Sequence, residues 1–262
     1  MKKILTIILS GLLVFTLGAC GKKADSKKLT VGATAVPHAE ILEEVKPILK
    51  EKGYELEIKV FSDYVLPNRA VEDGELDANF FQHIPYLEEF NKNHKTNIVA
   101  LNKVHLEPLG LYSKKIKNLD ELKDGITITI PNDPTNGSRA LKLLEENKII
   151  KLQNKDLVSK LDIVENPKNI KIQEIDAPQL SRTLDDVEAS IINTNYALQA
   201  DLNPTKDAIV IEDKESPYAN IIAVKSGDED KEEIKALCEA ITSEKIKKFI
   251  EEKYNGSIIP SF

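Results

Sequence analysis

Short runs of β-branched residues alternate along the chain with stretches in which apolar residues recur at helical spacing. Residues 28–33 and 55–61 predict strands, and the spacing of Ile41 and Val45 predicts a helix over 38–52. Further strands are predicted at 97–101, 108–113, 126–131, 170–175, 187–193, 207–211 and 219–224. This alternation is typical of an α/β fold with mainly parallel strand pairing. Because these strands are many for one sheet in a chain of this length, we predict two α/β lobes.

The last part of the chain has the clearest helical pattern. Apolar residues from Ile234 to Ile250 keep a spacing of three to four residues, which predicts one long helix over 230–254. Two shorter helices are predicted to begin near Pro67 and Pro85, since proline fits the first turn of a helix.

The first twenty residues have the pattern of an export signal. Two lysines precede an uncharged run over 4–19, which is shorter than the roughly 20 residues that span a bilayer. Residues 17–20 (LGAC) resemble a bacterial lipobox, so we predict a signal peptide over 1–19, lipid modification of Cys20 and a flexible tether over 20–27. An uncleaved anchor helix, or a plain signal with an incidental cysteine, are the alternatives. The expected location is the extracytoplasmic face of the cell membrane.

Composition excludes several classes of protein. The 262 residues carry 36 Lys and Arg against 43 Asp and Glu, and a net charge of −7 argues against a nucleic-acid binder. Two cysteines are too few for a disulfide framework or a zinc ribbon. Only three residues are arginine and only fourteen are Tyr or Phe, so the positions of these residues are informative.

Four of the fourteen aromatic residues lie within the segment 77–90 (DANFFQHIPYLEEF). If 79–83 is extended, alternation places Phe81 and His83 on the same face, and Tyr86 follows in the first turn of the next helix. Together with Tyr64 upstream, these side chains could line an apolar pocket. An ordinary hydrophobic cluster with a hydrogen-bonded histidine is the other interpretation.

A second candidate lies in the segment 126–140 (ITITIPNDPTNGSRA), where a strand ends and a helix begins near Thr135 or Asn136. The free N–H groups of a helix N-terminus favour an anion, and Arg139 lies in the same first turns. Because arginine binds carboxylates in bidentate fashion, Arg139 is a candidate carboxylate ligand. The alternative is a surface arginine paired with Asp133 or a nearby glutamate. The glycine spacing of a P-loop is missing.

Two asparagines are candidates for hydrogen bonds to a ligand. Asn193 follows a buried-looking strand, and the carboxyl ends of strands in open α/β sheets are where ligands bind. Asn220 is ambiguous in the same way, since a helix N-cap explains either residue equally well.

The chain contains no familiar catalytic motif. The patterns G-x-S-x-G, H-E-x-x-H and C-x-x-C are absent from the sequence, so we expect no enzyme, no cofactor and no metal site. The rival hypothesis from another class is a metal-binding lipoprotein or hydrolase that uses His83 and His105 with the acids Glu88 and Glu107.

Several of these segments together resemble the methionine-binding lipoproteins of the NlpA family, the substrate-binding subunits of bacterial methionine ABC importers. The resemblance covers residues 28–262. Its most specific parts are Asp63-Tyr64-Val65, Pro67-Asn68, Leu76–Asn79, Phe81-Gln82-His83, Pro85-Tyr86-Leu87, Ile130–Asp133 and Ser216-Pro217-Tyr218.

The resemblance implies a two-lobed, type II periplasmic-binding-protein fold with the ligand in a cleft between lobes 28–110 plus 222–262 and 111–221. It implies a monomer that captures L-methionine and delivers it to the permease and ATPase subunits of the importer. D-methionine or a methionine-containing dipeptide are the alternative ligands. Carried onto this sequence, it implies that Arg139 binds the α-carboxylate and that the other ligand-binding residues are Tyr64, Phe81, His83, Tyr86, Asn193 and Asn220. Asn193 is preferred to Asn195 by its position in the family's motif.

Overall fold

The computed structural model describes residues 27–262, so the predicted signal peptide, Cys20 and the tether up to residue 26 lie outside the described residues. The larger of two main sheets has the strand order β13-β4-β12-β3-β1-β2. Its strands are β1 (Lys27–Thr34), β2 (Tyr54–Phe61), β3 (Ala78–His83), β4 (Ile98–Leu106), β12 (Ala219–Lys225) and β13 (Ile259–Pro260).

The second sheet is built from the middle of the chain and has the order β11-β5-β10-β6-β9. Its strands are β5 (Gly110–Tyr112), β6 (Thr127–Pro131), β9 (Lys171–Ile175), β10 (Ala189–Ile192) and β11 (Val210–Ile211). A separate two-stranded sheet pairs β7 (Lys151–Leu152) with β8 (Ile163–Glu165), and the sequence pattern did not predict it.

Strand pairing is mixed, so the prediction of mainly parallel pairing is wrong. β1 runs parallel to β2 and β3, and β6 runs parallel to β9 and β10. The antiparallel pairs involve β4 and β12 in the larger sheet and β5 and β11 in the second one. These strands precede or follow the two places where the chain passes between the sheets. A chain that leaves a sheet and returns beside its own exit strand pairs with it antiparallel.

Helices cover the faces of both sheets. They are α1 (Glu40–Glu51), α2 (Leu66–Glu72), α3 (Ile84–His94), α4 (Pro134–Glu146), α5 (Thr194–Gln199), α6 (Pro204–Asp207), α7 (Glu232–Ile241) and α8 (Glu244–Tyr254), with one π-helical turn at Ala35–Ala39 and 3₁₀ turns at Leu119–Glu121, Lys160–Asp162 and Ala177–Asp185. Among the residues described, no helix combines the length and apolar character that crossing a membrane requires.

The single helix predicted over 230–254 is two helices, α7 and α8. The break lies at Thr242 and Ser243, and Ser243 has the extended backbone of an N-cap. The Thr242 hydroxyl donates to the carbonyl of Cys238 at 2.8 Å. Serine and threonine compete in this way with the helical hydrogen-bond ladder, which explains why the apolar spacing continues across the break although the helix does not.

Each sheet separates two hydrophobic clusters. Along β12, Ile222 and Val224 pack with α1, α7 and α8, whereas Ile221 and Ala223 pack with α2 and α3 on the opposite face. In the second sheet, one cluster includes α4 and the other includes α5 and the 3₁₀ turn at Ala177–Asp185. The chain passes between the sheets over 107–109 and again over 212–218. The bounds of the two lobes stay a prediction.

Candidate functional site

One cavity lies between the two sheets, with about 340 Å³ of space not filled by atoms, part of which is open to solvent. All seven residues that the sequence nominated as ligand-binding line it: Tyr64, Phe81, His83, Tyr86, Arg139, Asn193 and Asn220. Five further residues line it as well: Gln82, Glu107, Asn136, Thr194 and Asn195. The role of these residues in binding stays a prediction.

Three aromatic rings form an apolar cluster in the cavity lining. The ring centroids of Tyr64, Phe81 and Tyr86 lie 5.8–6.0 Å from one another. The Tyr86 hydroxyl donates to the carbonyl of Tyr64 at 2.9 Å, which fixes the loop before α2 against α3. Phe80, the neighbour of Phe81 in β3, is completely buried in the core around α1. Alternation along β3 therefore separates a core ring from a cavity ring, as the sequence predicts.

His83 ends β3 and caps α3. Its Nδ1 accepts a hydrogen bond from the backbone N–H of Tyr86 at 3.1 Å, and its Nε2 lies 3.2 Å from Oδ1 of Asn136. Burial, reinforced by the charge of Arg139, lowers the pKa of His83 to about 3. The ring is therefore neutral, and the network assigns its proton to Nε2. Because both ring nitrogens have partners in the protein, His83 is a cavity wall and offers no free nitrogen to a metal.

The N-terminus of α4 is organised around Asp133. As the N-cap, Asp133 accepts from the backbone N–H of Asn136 at 2.9 Å and also from its side-chain amide. This leaves Oδ1 of Asn136 pointing across the cavity, where it faces His83 and accepts from the amide of Asn193 at 3.0 Å. From sequence Asn136 was only a candidate cap, and its position between the two sheets had no local signal.

Arg139 is buried and is bound along one edge by Glu212. Its Nε donates to Oε1 of Glu212 at 2.8 Å, and its Nη2 donates to Oε2 of Glu212 and to the carbonyl of Glu107 at 2.7 Å. The ring of Tyr218 lies over the guanidinium, 4.5 Å from Cζ. The alternative of a surface arginine is therefore wrong. With Nε and Nη2 engaged, Nη1 is the edge of the guanidinium that remains for a ligand.

Two cavity asparagines have buried side-chain atoms that lack a hydrogen-bond partner within residues 27–262: Oδ1 of Asn193 and Nδ2 of Asn195. The other end of each amide is engaged, since Asn193 donates to Asn136 and Asn195 accepts from the Tyr64 hydroxyl at 2.6 Å. Buried polar groups are nearly always paired, so these atoms indicate a missing polar ligand. Asn193 occupies the N-cap position of α5 but makes no capping bond, which removes the alternative explanation for it.

Asn220 has its amide orientation set by a histidine. Its Oδ1 lies 3.1 Å from Nε2 of His38, a buried ring whose Nδ1 is 2.7 Å from the hydroxyl of Thr34. If the hydroxyl donates to Nδ1, Nε2 carries the ring proton and donates to Asn220. The Nδ2 of Asn220 is then the end of the amide that is left for the cavity.

The rival pair of His83 and His105 is not brought into one metal-ligand cluster among the residues that the structure covers. The group that it does bring together is His38, His105 and Glu107, whose candidate ligand atoms lie within 4.8 Å of one another.

Neither His38 nor Glu212 was nominated from sequence. His38 contacts Asn220 and Glu212 contacts Arg139, and both pairs are far apart in the sequence, so only the fold reveals the contacts.

The family model and the two relatives that match this chain are all described as lipoproteins. A family model described as NlpA lipoprotein matches residues 29–262. The methionine-binding lipoprotein MetQ of Bacillus subtilis is 48% identical over 95% of this chain and 96% of its own length. The D-methionine-binding lipoprotein MetQ of Salmonella typhi is 43% identical over 93% of this chain and 92% of its own.

Solved structures similar to this chain include two binding proteins for small solutes. A nutrient-binding protein from Burkholderia cenocepacia bound to methionine superposes with a TM-score of 0.88 at 45% identity, covering 89% of this chain and all of that one. A periplasmic substrate-binding protein of an ABC transporter from Coxiella burnetii superposes with a TM-score of 0.86 at 42% identity, covering 89% of this chain and all of that one.

Proposed function

The chain belongs to the NlpA lipoprotein family, and from this premise we propose that it is a solute-binding protein that captures L-methionine and delivers it to an ABC importer. The predicted family and the two-lobed α/β fold are confirmed. The observation that carries the proposal is that unpartnered polar atoms and a cluster of aromatic rings line the same cavity.

The polar groups of the cavity lining suit the backbone of a free amino acid. A buried zwitterion needs a partner for each charge. Nη1 of Arg139 and the Nδ2 atoms of Asn195 and Asn220 are donors for an α-carboxylate, while Oδ1 of Asn193 is an acceptor for an α-ammonium. Donors and an acceptor in one cavity are what an α-amino acid requires, and an uncharged solute would leave several of them unpaired.

The aromatic rings of the cavity lining suit a thioether. Sulfur makes favourable contacts with aromatic rings at about 5 Å, and the unbranched side chain of methionine adapts to an irregular space. The rings of Tyr64, Phe81 and Tyr86 supply three such faces; Phe81 and Tyr86 are buried and Tyr64 is partly buried. Methionine therefore suits both the polar groups and the aromatic rings of the cavity lining.

The place of action follows from the family and the N-terminal sequence. The relatives are lipoproteins and periplasmic substrate-binding proteins. We propose that Cys20 carries the lipid, that the tether holds the binding domain at the extracytoplasmic face of the membrane, and that the importer's permease and ATPase subunits receive the ligand there.

Calorimetric titration of the purified protein tests the ligand. After unfolding and refolding to remove any bound solute, it is titrated with L-methionine, D-methionine, a methionine-containing dipeptide and L-norleucine. We expect L-methionine to bind most tightly. L-Norleucine, which has a methylene in place of sulfur, should bind about two- to tenfold more weakly, the size of a sulfur–aromatic contact.

The other outcomes discriminate clearly. Tighter binding of D-methionine or of the dipeptide would replace the ligand and keep the class of protein. No heat with any of the four compounds would contradict the proposal. Stoichiometric zinc in the protein as isolated would support the metal-binding alternative instead.

A further inference from the structure

Glu107 is the one carboxylate among the described residues that line the cavity, and the function proposed above gives it no role. It lies in the first segment that passes between the sheets, directly after β4, and is 6% exposed. A buried carboxylate is costly unless an opposite charge or several hydrogen bonds compensate it. Its surroundings therefore indicate what it is for.

Two neutral histidines hold the carboxylate. Oε1 of Glu107 lies 2.8 Å from Nε2 of His105 and 3.1 Å from Nε2 of His38. Burial lowers the pKa of His38 to about 4 and that of His105 to about 3, so both rings are neutral at physiological pH. His105 therefore donates its Nε2–H to Glu107, and the single Nε2–H of His38 is shared between Glu107 and Asn220, without added positive charge.

The hydrogen bonds also argue against a metal ion in this cluster. The Nε2 atom of His38 lies between two acceptors, Oε1 of Glu107 and Oδ1 of Asn220, so it must carry a proton. A ring nitrogen that carries a proton has no lone pair for a metal. The cluster therefore directs N–H donors at the carboxylate of Glu107.

No cation within residues 27–262 forms a salt bridge with this carboxylate. Arg139 is close, but its Nη2 donates to the backbone carbonyl of Glu107, and its charge is matched by Glu212. The cavity thus holds one guanidinium edge and, close to it, one carboxylate that no lysine or arginine side chain of the described residues pairs with directly. The α-carboxylate and α-ammonium of an amino acid are attached to one carbon and need opposite charges at such a short separation.

We propose that Glu107 is the counter-ion of the ligand's α-ammonium group, with Oδ1 of Asn193 as a second acceptor. The proposal rests on the function proposed above. It extends the site from a carboxylate clamp to a pair of opposite charges, and it makes a free, charged amino group a requirement for tight binding.

The test compares Glu107→Gln with the wild-type protein for two ligands: L-methionine and 4-(methylsulfanyl)butanoate, which lacks only the amino group. Glutamine keeps an oxygen that can accept from His38 and His105, so the fold should be retained, as circular dichroism will verify. We expect Glu107→Gln to lose about 30-fold or more of its affinity for L-methionine, the usual effect of removing one partner of a buried charge pair. Its affinity for the desamino compound should change less than about threefold, because no ammonium is present to lose its partner.

The control variant is Glu212→Gln, which removes the carboxylate that holds Arg139. It should not change the preference for the amino group, because Glu212 faces the guanidinium. If Glu107→Gln weakens both ligands equally, Glu107 is a structural residue and the proposal is wrong. If it weakens neither, the proposal is also wrong.

A measurement on the wild-type protein keeps the proposal testable if Glu107→Gln does not fold. Replacing the α-ammonium by a hydroxyl keeps a hydrogen-bond donor and removes the charge. We expect the hydroxy analogue of methionine to bind about 30-fold or more weakly than L-methionine. Affinities within about threefold of each other would overturn the proposal. Failure of the wild-type protein to bind methionine at all would instead contradict the proposed function.

Discussion

At the scale of single residues, the structure changes the interpretation of Arg139 most. The sequence favours a carboxylate ligand at a helix start, and scarcity of arginine draws attention to it. The structure adds that its guanidinium binds Glu212 and the carbonyl of Glu107, one on each segment that passes between the sheets. Arg139 thus has a structural role that no local pattern indicated, because Glu212 is 73 positions away.

We predict that Arg139→Ala reduces both ligand affinity and stability. The variant leaves the nearly buried carboxylate of Glu212 without its partner, which should cost about 3 kcal/mol in the free energy of unfolding. Adding Glu212→Gln to the same chain removes the unpaired charge and should restore part of that loss, but not the affinity for methionine. Urea unfolding and calorimetry measure the two effects. An unchanged free energy of unfolding in Arg139→Ala would show that the pair does not stabilise the fold.

At the scale of elements, the first two turns of α4 carry two residues of the cavity, Asn136 and Arg139, on either side of Gly137. A Cβ added at Gly137 would lie 2.9 Å from the carbonyl oxygen of Pro131, at the end of β6. The glycine therefore permits a close approach of helix and strand. Without that approach, Asn136 would not reach His83 and Asn193 across the cavity.

We predict that Gly137→Ala destabilises the protein although alanine is the better helix former. The helix preference should contribute about 1 kcal/mol in favour of the variant, and the backbone clash should cost about 1–3 kcal/mol against it. Affinity for methionine should fall as well, because the turn shifts. Glu146→Ala, on the exposed side of α4, is the matched control and should change stability by less than about 0.5 kcal/mol. A stabilised Gly137→Ala would refute the argument.

Many elements could be predicted from the sequence because their apolar pattern is local. The strand predicted over 55–61 is β2 at Tyr54–Phe61, and the helix expected near Pro85 is α3 at Ile84–His94. The break at Ser243 and the pairing of β4 with β12 were missed. A hydroxyl that interrupts a helix leaves the apolar spacing intact, so the spacing does not reveal the break. The direction of strand pairing depends on where the chain returns to the sheet, which the spacing does not reveal either.

At the scale of the whole molecule, the sequence predicted which residues line the cavity mainly through the family resemblance. Physical reasoning alone left Asn193 open between a ligand contact and an N-cap. The residues that it did not nominate, such as His38 and Asn136, act through partners on the other sheet or far along the chain. Such contacts follow from the fold as a whole.

We predict that the free energy of unfolding falls as the pH is lowered from about 6.5 to about 4. Burial is the main cause that lowers the pKa values of His38, His83 and His105 to between about 3 and about 4, so between these pH values only the unfolded chain takes up their protons. Each histidine should contribute up to about 1.4 kcal/mol per pH unit.

Two carboxyl groups act in the opposite sense. Burial raises the pKa values of Glu107 and Asp133, so the folded protein binds their protons more readily than the unfolded chain and offsets part of the loss. Because three histidines destabilise the fold on acidification and only two carboxyl groups act against them, we expect a net fall in the free energy of unfolding. Urea unfolding at several pH values measures it, and a constant or rising stability on acidification would contradict the prediction.

The bonds of Arg139 to both segments between the sheets have a consequence for the motion by which binding proteins open and close. Rotation displaces each atom in proportion to its distance from the axis, and these two segments are where the axis must pass. The carboxylate end of the ligand would then lie near the axis and move little. The side chain of the ligand would lie farther from the axis, so a longer or shorter side chain would change how far the two lobes can close.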